Sequence, residues 1–70
     1  MEARNKDYYL PGDVVTIRQD VPNKPTMIVV KKSIKRFNSE NFFQGILCQW
    51  FSTDMKLQES VFNTKDLIKL

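Results

Sequence analysis

The chain is expected to be all-β, a small five-stranded SH3-like barrel with one short 3-10 turn before the last strand. Three observations predict this. Short β-branched and aromatic runs recur along the chain. Clusters of Pro, Gly, Asn and Asp separate them. The central pair of runs, folded as a hairpin, brings its apolar residues onto one face. With 70 residues there is one domain at most, near the lower size limit for unaided folding, so nearly every apolar side chain is needed for packing. The composition, 41% hydrophobic and 27% charged, is too rich in aromatic and β-branched residues for a disordered tail. No room is left for a separate catalytic domain.

The elements follow in order. Residues 1–10 are polar and mixed apart from Tyr8 and Tyr9, and are expected to form a flexible or loosely packed arm. The barrel domain is expected over residues 11–70. "PGD" at Pro11, Gly12 and Asp13 marks a turn, and "DVVTIR" after it is the first strand, with Val15 and Ile17 on one face. "QDVPNKP" carries two prolines and reads as a loop. "TMIVVKK" is the second strand, "NSEN" at residues 38–41 the turn, and "FFQGILCQWF" the third strand. "STD" is a tight turn and "MKLQESVF" the fourth strand. The tail "NTKDLIKL" is too short for an independent helix. It reads as a 3-10 turn over Thr64, Lys65 and Asp66, then a closing strand over residues 67–70. Five short strands closing on themselves also limit exposed edges.

Centring the hairpin on residues 38–41 sets Phe37 opposite Phe42, Val29 opposite Trp50 and Lys31 opposite Cys48. Opposed residues project from the same face of a sheet. Met27 and Val29 then share a face with Ile46, Cys48 and Trp50, and a slip of one residue would destroy this agreement. Gly45 is a candidate bulge that would shift the count.

Chemistry is poorly provided for. There is no histidine, which removes Ser-His and Cys-His dyads and the usual zinc ligand sets. Cys48 is a lone cysteine, so no internal disulfide forms, which suits a reducing cytoplasm. It reads as an inert core thiol; a reactive thiolate would need a cation, and Lys31 is the one that the pairing offers. The carboxylates are scattered, and two glycines cannot build a phosphate loop. No enzyme activity, cofactor or metal site is expected. Neither a secretory h-region nor an apolar run of about eighteen residues occurs, so neither signal peptide nor membrane span is expected.

Several stretches together resemble the YodC-like family of small uncharacterised bacterial proteins: "GDVV" at residues 12–15, "PTMIV" at 25–29, "CQWF" at 48–51, then Phe62 and Leu67. The family pattern runs G-D-V-V, P-x-M-T-V, C-x-W-F, and "CQWF" is its most specific piece here. The resemblance covers residues 12–67 and implies a small SH3-like barrel without established function or catalytic residues. Two departures stand out. The family places Ser-Gly-Gly before its Pro, where this chain has Val21, Pro22, Asn23 and Lys24. The hairpin over residues 31–44 is also longer than usual.

Two surfaces are candidates for binding. With Trp50 inward, Leu47 and Phe51 face outward; together with Phe42 and Phe43 they form a candidate contact site for a protein partner or a second copy. The competing possibility is that the arm or the loops cover them. The stretch "KKSIKR" at residues 31–36 holds four cations in six positions, with no acid before Glu40. Lys31, Lys32, Lys35, Arg36 and Phe37 are therefore candidate nucleic-acid contacts, against the alternative of a solvated hairpin whose lysines prevent aggregation. The net charge of +3 is mild for a nucleic-acid binder. The leading expectation is a non-enzymatic interaction module, with the nucleic-acid binder as its rival.

Overall fold

The computed structural model of the protein describes residues 8–20, 22 and 24–70. They are all-β, with strands β1 (Val14–Ile17), β2 (Met27–Phe37), β3 (Glu40–Phe51), β4 (Leu57–Phe62) and β5 (Leu67–Lys69), and a 3-10 turn at Thr64–Asp66. The strands form one sheet in the order β4-β3-β2-β1-β5, and every pairing is antiparallel. The outer strands β4 and β5 are not paired with each other, so the sheet is open.

Each element has a local cause. β1 is a β-branched run, and Thr16 at its centre donates its hydroxyl to the Pro25 carbonyl at 2.8 Å, holding the proline-rich loop. β2 and β3 are joined by Asn38 and Ser39 alone, with φ of 52° and 63°. Two consecutive positive φ values mark a type I′ hairpin turn, whose twist matches that of the strands. This corrects the turn expected over residues 38–41, because Glu40 and Asn41 already pair with Phe37 and Arg36.

The shorter turn also corrects the register. Val29 lies opposite Cys48 rather than Trp50, Lys31 opposite Leu47 rather than Cys48, and Phe37 opposite Glu40 rather than Phe42. Val29 and Phe37 shift by two residues, which preserves the alternation, so Met27, Val29, Ile46 and Cys48 share a face as expected. Lys31, between the bulges, shifts by one and takes the opposite face, with Leu47. Two bulges then offset each other. Val30 is extra on β2, Gln44 is extra on β3, and the pairing count returns to its first value beyond them.

The inner face carries the core: Val15, Met27, Val29, Ile46, Cys48 and Leu67 are buried, with Ile17, Trp50 and Phe62 packed against them. Tyr9 joins this core at 1% exposure. Its hydroxyl lies 2.9 Å from the Leu67 carbonyl oxygen and 3.0 Å from that of Thr64. The sequence placed Tyr9 in a loose arm; its ring instead caps the core, while residues 1–7 of that arm lie outside the described residues. The next turn holds it there. Asp13 accepts the Leu10 amide at 2.8 Å and an ion pair from Lys69 at 3.2 Å. Both interactions, the amide first, hold its carboxyl below the usual carboxylate range.

Candidate interaction surfaces

The outer face of the sheet is where apolar side chains remain in water. Phe51 is 64% exposed, and its cross-strand neighbour Leu57 is 56% exposed. With Thr26, Ile28, Gln49 and Trp50 they line an open hollow of about 260 Å³. Of the four residues expected to form a protein contact, Leu47 and Phe51 belong to this outer face, Leu47 half-buried beside Val61. Phe42 and Phe43 are exposed but lie further along, beyond the Gly45 bulge. Their pairing partners differ in face, Phe42 with Lys35 and Phe43 with Ile34, so the two rings point to opposite sides of the ladder. The expected patch is therefore split, and Ile28 and Leu57 complete the part around Phe51.

Strand β4 was not singled out from sequence as a site. It pairs only with β3 among the described residues, which leaves one edge over Leu57–Phe62 without a neighbour. Its sequence, LQESVF, has one charge and neither Pro nor Lys, and its ladder has no bulge. Those are the usual devices that blunt an edge strand. The alternating pattern of Leu57, Glu59 and Val61 was a legible signal; its place at the edge was not.

Lys35, Arg36 and Phe37 sit on a two-stranded ribbon, residues 33–37 against 40–45, that runs past the ends of β1 and β4, and Lys31 and Lys32 lie at its base, opposite Leu47 and Ile46. Lys31, Lys35 and Phe37 alternate along one face, joined there by Phe42 opposite Lys35. Lys32 and Arg36 lie on the other face with Ile34 and Phe43. All five residues expected to meet nucleic acid are exposed, and they are divided between two faces. Ser33 donates its hydroxyl to the Gln44 side-chain oxygen at 2.9 Å, tying the ribbon at its bulge.

Cys48 is fully buried on the inner face, and Lys31 stands opposite Leu47 instead of beside it. Burial without a cation pushes the thiol up to about 11, so at neutral pH it is a neutral, unreactive group. Its hydrogen points to the Ile46 carbonyl, 3.8 Å away. Among the described residues no three His, Cys, Asp or Glu side chains come together as a metal-ligand group. No helix among them is long and apolar enough to cross a membrane.

No protein-family profile, no curated protein and no solved structure matches the chain.

Proposed function

We propose that this protein is a non-enzymatic interaction module built as an SH3-like barrel, and that it docks by strand addition at β4, with a second copy of itself as the partner. One observation carries this: a six-residue edge strand with a single charge, Glu59, presents exposed Leu57 and Val61 beside exposed Phe51. Added strands gain backbone hydrogen bonds from such an edge and specificity from alternate side chains. Self-pairing also has a favourable register. A two-fold axis through Ser60 sets each Glu59 opposite the other copy's Val61, so the two carboxylates do not meet.

Barrel architecture is supported by the strand order and by the core cluster, to which Leu67 of β5 and Ile46 and Cys48 of β3 all belong. A sheet that shares one core between such distant strands has to coil. Membership of the YodC-like family would fit the same packing. Val15, Met27, Val29, Cys48 and Leu67 from the motifs that carry the resemblance are all core residues. A bacterial cytoplasm is the setting we assign, on that resemblance and on the unpaired thiol. The absence of enzyme activity is argued from the missing histidine and the buried, neutral Cys48.

Sedimentation equilibrium of the full chain over a wide concentration range tests the docking mode. The wild type is expected to show a monomer–dimer equilibrium, and the exposed-edge variant Leu57→Lys, with Val61→Lys, to remain monomeric while keeping its circular dichroism spectrum. A wild type that stays monomeric, or variants that dimerise as well as it does, would overturn the proposal.

A further inference from the structure

We infer that one face of the β2–β3 ribbon binds single-stranded nucleic acid, with Phe37 and Phe42 as stacking platforms and Lys31 and Lys35 as phosphate contacts. This site is separate from the β4 edge. Phe37 is 60% exposed and Phe42 is 47% exposed, on a stretch that contributes nothing to the buried core. Large rings left in water on both strands of a ribbon are not explained by folding, since burying them would stabilise the chain.

The geometry fits unpaired bases. Phe37 pairs with Glu40 and Phe42 with Lys35, so the two rings are diagonal neighbours on one face. Diagonal neighbours in a ladder stand about 7–8 Å apart, close to the spacing of neighbouring nucleotides in an extended strand whose bases are unstacked from each other, so successive bases can stack on the two rings. A duplex offers no such faces, because its bases are already stacked on each other. Lys35 lies beside both rings, and Lys31 is four residues along the same strand face, where the next phosphates of an extended strand would run. Glu40, the carboxylate on this face, sits at the turn and directs the phosphates toward the Lys31 end. The ligand is an anion with flat, unpaired faces, which describes a single strand better than an acidic peptide.

Fluorescence anisotropy with a labelled oligothymidylate and with a duplex of the same length tests the site on the full chain. The single strand is expected to bind at low salt and the duplex more weakly. With two phosphate contacts at a slope of about −0.7 each, a fourfold rise in salt lowers affinity about seven-fold. Phe37→Ala or Phe42→Ala should weaken binding by about five-fold or more without changing the salt slope, as expected for a lost stacking platform. Lys35→Gln should reduce the slope itself. These side chains are exposed, and Trp50 emission reports that each variant remains folded. The monomeric Leu57→Lys variant should bind as the wild type does, which reads the ribbon independently of strand addition. Absence of binding at low salt, equal or tighter duplex binding, or phenylalanine variants that bind like the wild type would each overturn the inference.

Discussion

Gly45→Ala should be far more damaging than the same change at Gly12, and the structure states why. Both glycines have positive φ, +153° at Gly45 and +94° at Gly12. For a residue with a Cβ such backbone costs about 1–3 kcal/mol. At Gly12 that is the whole penalty, because an added Cβ would meet nothing within 4 Å. At Gly45 the added carbon would stand 2.6 Å from the Phe62 carbonyl oxygen and 2.6 Å from Cγ1 of Val61. The Val61 side chain can rotate. The Phe62 carbonyl is backbone, and it moves only if the end of β4 moves with it. Losing one or two of the hydrogen bonds that pair β4 with β3 adds about 0.5–1.5 kcal/mol each. The expected total is about 3–4 kcal/mol, against a stability of roughly 4–10 kcal/mol for a domain of this size. Urea unfolding followed by Trp50 emission is the assay, since the indole packs on Phe62 with ring centroids 6.1 Å apart. At a slope of about 1 kcal/mol per molar urea, the Gly45→Ala midpoint should fall roughly 3–4 M below the wild type. Equal midpoints for the two alanine variants would refute the close approach of β4 to the bulge.

Tyr9→Phe keeps the ring in the core and removes the hydroxyl that donates to Leu67 and Thr64. A loss of about 1–2 kcal/mol, seen as a Tm lower by roughly 5–10 °C in thermal unfolding by circular dichroism, is expected; an unchanged Tm would show that this hydroxyl is not bonded. Cys48 should alkylate much more slowly in native than in unfolded protein at neutral pH, and faster native labelling would contradict its burial. Its folded-state pKa is raised from 9.0 to about 11, so the folded state holds the proton longer than the unfolded state. Stability linked to Cys48 is therefore intact below about pH 9 and is lost as pH rises toward 11. A Cys48→Ala variant should lose less stability over that interval than the wild type in chemical unfolding across pH.

Most of the strand pattern was legible because it depends on local chemistry. Val14–Ile17 is β-branched, Thr64–Asp66 is too short and too polar to extend as a helix, and the alternation of Ile46, Cys48 and Trp50 gives the inner face. The hairpin was harder. "NSEN" looks like one turn, yet within it Asn38 and Ser39 alone adopt positive φ, and this choice moved the pairings by two residues outside the two bulges and by one between them. Tyr9 was misread because its partners, the carbonyls of Thr64 and Leu67, lie more than fifty residues away in the chain. The split of Phe42 from Phe43, and of the five basic-stretch residues between two faces, likewise needed the ladder.

The residues alone settled which side chains prefer an interior, where the chain turns, and that histidine-based catalysis has no material to work with. Those properties belong to each residue and its near neighbours, so distance along the chain does not obscure them. Tertiary structure decided which strand lies at the edge, which rings remain in water and what stands opposite each lysine. Those are properties of pairs brought together from remote positions, and many pairings satisfy the same local pattern until the backbone selects one.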